Sequence, residues 1–266
     1  MSDARWYDRH TGEIINEVMK ADGKGTTKPT LVHAKKFGHL GSVTTIIKDT
    51  TATGQNLIDW IIGQHLDACM GNPFAGDIAN KVVVDQYKGM IKAKANEFRN
   101  FTADRGKYLH NEVELWIKSG CKETALSSDP AGKTMCLELD RFFQENNVQS
   151  INPEMALFSI ELGCAGTPDI PCICKDGTKI LIDLKTTSFK NYRKPYDSWK
   201  YQLGGYRALS KDMEGARLVQ AIGDRDHGDV IYEMYEEADG SWSAGFLRLV
   251  DNWCLIKGYD PRRFDE

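Results

Sequence analysis

The chain has 266 residues, 41% of them hydrophobic and 27% charged, with a formal net charge of −4. That length and apolar content allow one sizeable core; no apolar run approaches the roughly 18 residues of a membrane span, and no cationic-then-apolar segment marks a secretory signal, so a protein that stays in the cytosol is expected. The net negative charge does not suit a protein that coats duplex DNA nonspecifically.

In chain order, the first forty residues carry the weakest pattern. Asp22-Gly23-Lys24-Gly25-Thr26-Thr27-Lys28-Pro29 reads as a turn or loop, so residues 1–40 are expected to be a loosely packed extension. No long polar linker, low-complexity tract or internal repeat follows, which predicts one domain with its core at about 41–258. Gly41-Ser42-Val43-Thr44-Thr45-Ile46-Ile47 is a β-branched run of strand type. Helices are predicted over Gln55–Met70, Asp77–Asn100, Ala103–Lys118 and Gly132–Asn146, then strands near Gln149–Leu162, Cys164–Cys174 and Lys179–Thr186. A helix over Pro195–Lys211, strands over Arg217–Ile222 and Asp229–Glu236, and a helix over Ser241–Lys257 complete the order. Phe246, Leu249, Val250, Trp253 and Cys254 form one apolar stripe on that last helix. Asp260-Pro261-Arg262-Arg263 is expected to be an exposed tail. A helical N-terminal half and a mixed second half give an α/β fold, a central mixed sheet flanked by helices.

The chemistry is concentrated between residues 166 and 206. Lys175-Asp176-Gly177 carries the Asp-Gly signal of a hairpin turn, and a three-residue loop centred on Asp176 sets position 169 opposite position 183. Pro168 and Pro171 interrupt the first strand, and a bulge there would shift that register by one residue. Two carboxylates facing each other across a ladder repel, so something cationic belongs between them. Asp183 and Lys185 share one face of their strand while Leu184 points to the other. Ile180, Leu181, Ile182 and Leu184 make the strand apolar enough to be central, and charged groups in a buried strand need a reason. Hard oxygen ligands of this kind suit Mg²⁺ or Mn²⁺, with the lysine placed to orient a water or stabilise developing phosphorane charge. On the following helix Gln202 and Tyr206 lie four residues apart, on one face.

Basic residues cluster around this segment. Lys179, Lys185, Lys190, Arg193, Lys194 and Lys200 outnumber Asp183 and Asp197, and Tyr192, Tyr196 and Trp199 are interleaved with them. That composition suits phosphate contacts combined with base stacking. Lys92, Lys94, Arg99, Arg105 and Lys107 form a second basic set, leading into a helix on which His110 and Glu114 sit one turn apart. Glu161 is a further carboxylate candidate, or a solvent-facing strand residue.

Gly166-Thr167-Pro168-Asp169, then Asp183-Leu184-Lys185, then Gln202-x-x-x-Tyr206 resembles the PD-(D/E)XK nuclease superfamily in its RecB-like exonuclease branch. The resemblance spans about 41–210 and is sharp only over 166–206. It implies a restriction-endonuclease-like fold, with one or two Mg²⁺ or Mn²⁺ ions held by Asp169, Asp183 and the Leu184 carbonyl, Lys185 as the catalytic lysine, and Gln202 and Tyr206 positioning a nucleic-acid end. The branch also carries a Gly-x-x-x-His element whose histidine is a metal ligand; Gly106 and His110 keep its spacing, with Lys107 where the family often has Thr. Glu114 is then a weak candidate. Ser42-Val43-Thr44-Thr45 and Leu57-Ile58-Asp59-Trp60 are similar to the opening of phage, prophage and mitochondrial-type members, at low specificity. The implied activity is exonucleolytic hydrolysis of DNA in recombination, repair or phage DNA metabolism, acting on single- or double-stranded ends, with a recombinase, single-strand-binding protein or helicase as partner. A nuclease-fold module that binds DNA or a helicase without cutting is the alternative, and a sequence-specific endonuclease a less favoured one. Some relatives hold an iron–sulfur cluster with three cysteines near the C-terminus. Here only Cys254 lies beyond the Gln202–Tyr206 helix, so no such cluster is expected, and the seven cysteines read as reduced thiols.

Overall fold

The structure is a computed structural model that describes residues 4–20, 22–51, 55–152, 155–190, 196–235 and 240–264. The strands are β1 (Trp6–Tyr7), β2 (Ile14–Ile15), β3 (Val18–Met19) and β4 (Thr26–Thr27), followed by α1 (Leu31–Phe37), β5 (Leu40–Ser42) and α2 (Val43–Thr50). Two long helices come next, α3 (Gln55–Gly71) and α4 (Lys81–Lys118), then α5 (Pro130–Glu145). The second half runs β6 (Val148–Ile151), β7 (Leu157–Ser159), β8 (Cys164–Gly166), β9 (Ile170–Cys174), β10 (Lys179–Thr187), α6 (Asp197–Ala208), β11 (Arg217–Asp224), β12 (Val230–Tyr235) and α7 (Ser241–Lys257). The chain divides into two compact units, 1–51 with 112–266 and 52–111, so the boundary falls inside α4.

The first unit is of mixed α/β class. One sheet has the order β12-β11-β10-β9-β6, in which β10 and β11 are parallel and the other pairs antiparallel. A second five-stranded sheet has the order β2-β1-β5-β8-β7. Where one continuous strand was expected over Cys164–Cys174, β8 belongs to one sheet and β9 to the other. The cause is the bend at Thr167-Pro168-Asp169, where proline fixes φ and offers no N–H for a ladder.

The hairpin between β9 and β10 forms as the Asp-Gly signal requires. Cys174 donates its N–H to the Thr178 carbonyl at 2.8 Å, Gly177 takes the left-handed conformation at φ 85°, and Asp176 caps the Thr178 N–H at 2.9 Å. Pairing runs from Lys179 with Ile173 to Ile182 with Ile170, so one further step sets Asp183 opposite Asp169. No bulge shifts this register.

Side-chain alternation sorts the first sheet's two faces. Leu181 and Leu218 join Leu203 and Tyr206 of α6 and Phe246 of α7 in the core. On the other face Gly223 approaches Met135 of α5, and Tyr232 stacks on Phe142 at 4.6 Å. Helices thus cover both faces of this sheet.

Several local expectations are corrected. The strand expected over Gly41–Ile47 ends at Ser42, the last residue of β5: Ser42 Oγ accepts the Thr45 N–H at 3.0 Å, and this N-cap starts α2 despite the β-branched run. The two helices predicted over 77–118 are one, α4. The N-terminal segment contributes Trp6 and Tyr7 to the interior, with β1 pairing β5. Residues 260–263 are not a free tail. Pro261 is buried, and the Arg262 guanidinium bridges Asp260 and Asp251, each at 2.7 Å. The 52–111 unit is helical, with Phe74 edge-on to Tyr87 at 5.0 Å. Among the described residues no helix is long and apolar enough to cross a membrane.

Candidate active site

Asp183 sits at the centre of the mixed sheet, fully buried. Because β9 is its antiparallel neighbour and β11 its parallel one, Asp169, Asp183 and Gln220 form a row across three strands on one face. Next along β10 on that face comes Lys185, whose Nζ lies 2.6 Å from Asp183 Oδ2.

The Asp183 carboxylate is held from two elements. Gln202 Nε2, on α6, donates to Oδ1 at 2.8 Å and also to the Tyr206 hydroxyl at 2.8 Å. Gln220 Nε2 donates to Oδ2 at 2.8 Å and to the Asp183 main-chain carbonyl. Donors from charged and neutral groups therefore converge on one buried carboxyl group, the condition under which burying such a group is tolerable. Among the described residues the Gln220 oxygen has no hydrogen-bond partner.

Asp169 is positioned by its Oδ2 accepting the Leu184 N–H at 2.7 Å. The N–H and C=O of one strand residue point the same way, so the Leu184 carbonyl is also directed to the β9 side, just past the last pair of that ladder, Ile182 with Ile170. Two carboxylates and a main-chain oxygen thus bracket one edge of β10.

The electrostatics follow from burial and these charges. Burial alone pulls the Lys185 ammonium towards lower pKa, but the carboxylates of Asp183 and Asp169 more than reverse it, so the lysine is held above its ordinary value. It is therefore a cation at neutral pH, suited to stabilising negative charge rather than to accepting a proton. Burial and the same two carboxylates push the Tyr206 phenol well up, keeping it protonated.

Small residues make the packing around the site feasible. A Cβ on Gly166 would lie 2.6 Å from Tyr206 Cε1, and a Cβ on Gly204 would lie 2.7 Å from the Trp242 carbonyl carbon. Gly166 admits the tyrosine, and Gly204 seats α6 on α7.

The structure brings together Asp169, Asp183, Leu184, Lys185, Gln202 and Tyr206. Glu161 is exposed in the turn before β8, while it is Gly166, at the other end of that strand, that meets Tyr206. Glu114 is paired with Lys118. His110, half-buried on α4, and Arg105, whose guanidinium lies 5.6 Å over the Tyr108 ring, belong to the 52–111 unit. Lys190 is exposed beyond β10; Tyr192, Arg193 and Lys194 lie outside the described residues. All seven cysteines are free thiols. Among the described residues no group of three or more His, Cys, Asp and Glu side chains is gathered for a metal; the donors here number two carboxylates and a carbonyl. Gln220 was missed from the sequence, since nothing local marks it and only the parallel register brings it to Asp183.

No family model and no curated protein matches the chain. Among solved structures it is similar to one described as the crystal structure of SSO0001, with 14% identity over 80% of this chain and 84% of that chain, at a TM-score of 0.36.

Proposed function

We propose that this chain is a metal-dependent deoxyribonuclease of restriction-endonuclease-like fold, acting as an exonuclease on DNA ends. The observation that carries the reading is the buried Asp183 with the Lys185 ammonium at 2.6 Å and Asp169 in register opposite. A buried ion pair is a poor source of net stability, because desolvation offsets the attraction. Perturbed, partnered charges of this kind cluster where chemistry is done.

The donor set fits a hard divalent cation: Asp169, Asp183 and the Leu184 carbonyl are all oxygen ligands, the type Mg²⁺ and Mn²⁺ prefer. When bound, such an ion lowers the pKa of a coordinated water and neutralises phosphate charge. Lys185, permanently protonated beside the two acids, supplies positive charge where the scissile phosphate gains negative charge. Gln202 and Gln220 fix the Asp183 carboxylate so that it need not reorganise, and Tyr206 holds Gln202 in place. Lys190, with Arg193 and Lys194, supplies phosphate contacts.

The test is incubation with end-labelled linear and closed circular DNA, single- and double-stranded, with Mg²⁺, Mn²⁺ or EDTA. Metal-dependent loss of linear DNA alone is expected, and Lys185→Ala should abolish it while circular dichroism stays native. Retained turnover in that variant would sink the role of Lys185. DNA binding without cleavage under every condition would favour a binding module.

A further inference from the structure

Because β10 and β11 are parallel and the crossover between them carries the α-helix α6, that helix runs antiparallel to both, and its first turn lies at the carboxyl edge of the two strands. Gln202 fixes the level of Asp183. Trp199, three residues earlier and so about 4.5 Å back along the helix, stands on the same helical face between the levels of Asp183 and Lys185, which are about 6.6 Å apart along the strand. Tyr196, the N-cap residue, is half exposed and edge-on to Trp199, with ring centroids 5.0 Å apart at 87°. In a T-shaped pair the ring that presents its edge keeps both faces clear of its partner. The same edge of the sheet is polar: Thr187 pairs Asp224 at the ends of β10 and β11, the exposed His227 ring meets Asp224 Oδ2 by its Nδ1 at 2.9 Å, and the exposed, basic Lys190 follows β10. A half-exposed aromatic pair near a basic side chain, about one helical turn from an acid–lysine site, matches the recognition of unpaired bases and suits duplex poorly, since stacked bases offer no free face.

We propose that Tyr196 and Trp199 form a stacking platform for unpaired bases of a DNA strand entering the Asp183–Lys185 site, so that the site takes a single-stranded end. This rests on the nuclease reading above. Sequence tolerance follows, because every base has a π-face.

The test uses the full chain carrying Lys185→Ala, with Mg²⁺ present, and fluorescence anisotropy of a short labelled single strand and of an abasic strand of equal length. Trp199→Ala is expected to weaken binding of the normal strand about tenfold, Tyr196→Ala less, and Trp199→Phe to restore most of the affinity. The salt dependence should keep its slope, since no phosphate contact is lost. On the abasic strand, binding starts weaker and Trp199→Ala should change it little. An equal loss on both strands would overturn the platform while leaving Lys185-dependent cleavage by the parent chain untouched. Absence of both binding and cleavage in the parent chain would overturn the nuclease reading and the platform with it. Circular dichroism of each variant separates misfolding from lost contact, and exposed Tyr196→Ala serves where Trp199→Ala fails to fold.

Discussion

Replacing Gln220 by Glu exchanges a donor for an acid at a position 2.8 Å from Asp183 Oδ2. Two ionised carboxylates whose charges are centred about 4 Å apart repel by about 4 kcal/mol at the effective dielectric of about 20 that suits a protein site. At about 1.36 kcal/mol per unit, the introduced carboxyl should therefore titrate about three units above the usual glutamate value of about 4.3, near pH 7. A folded-state pKa raised above the unfolded one means that the unfolded chain releases the proton first. Stability relative to wild type is then full below about pH 4, where a protonated carboxyl donates to Asp183 as the amide does, and falls by about 1.4 kcal/mol per pH unit until about pH 7. Gln220→Met supplies the uncharged control. It removes a hydrogen bond to a charged group, about 1.5–3 kcal/mol, and one to a carbonyl, about 1 kcal/mol, but also removes the unpartnered Gln220 oxygen, whose burial costs about 1–3 kcal/mol. A net loss of about 1–2 kcal/mol, flat with pH, is expected. Urea denaturation of the three proteins between pH 5 and 8 decides the matter. A Gln220→Glu curve parallel to wild type would mean that residue 220 does not face the Asp183 carboxylate.

Gly166→Ala should destabilise by about 1–3 kcal/mol through overpacking, because its Cβ meets Tyr206 at 2.6 and 3.0 Å and Val43 at 3.1 Å; denaturation and cleavage assays should fall together, and no change in either would contradict the close approach. His227 is held above its ordinary pKa by the hydrogen bond and charge of Asp224. Its contribution to stability is thus complete below the ordinary imidazole value and fades as pH rises through the raised one. Asp224→Asn should move the imidazole titration to lower pH by NMR, and an unmoved titration would reject the pair.

Much of the site was legible because its signals are local. The loop Lys175-Asp176-Gly177 fixes the register of β9 on β10 by counting, and that register brings Asp169 to Asp183. Strand alternation then puts Lys185 beside Asp183, and helical spacing puts Gln202 and Tyr206 together. Gln220 was invisible for the opposite reason. Its place depends on how the α6 crossover delivers β11, a register no turn residue encodes. The fold was less legible where local chemistry competed. Ser42 as an N-cap overrode the strand preference of Val43-Thr44-Thr45, and Pro168 split one expected strand between two sheets. The tail at 260–263 was misread because Arg262 reaches back eleven residues to Asp251 on α7, a pairing that no turn or helix spacing encodes.

The five residues Gln202-Leu203-Gly204-Gly205-Tyr206 show how the site and the fold constrain the same stretch. Gln202 and Tyr206 face Asp183, Gly204 faces the start of α7, and Gly205 packs between Val43 and Phe246. A Cβ at 204 would strike the Trp242 backbone, and one at 205 would press on Val43 Cγ1 at 3.0 Å. Ser243 Oγ further donates to the Gly204 carbonyl at 3.0 Å, tying α6 to the start of α7. A larger residue at 204 would have to move backbone rather than a flexible side-chain end, so the whole helix would lift. Gln202 reaches Asp183 through a 2.8 Å hydrogen bond, and a displacement of 1 Å would take that contact out of range. The contact of α6 with α7, distant from the acidic row, therefore sets the geometry of Asp183 as directly as the strand that carries it.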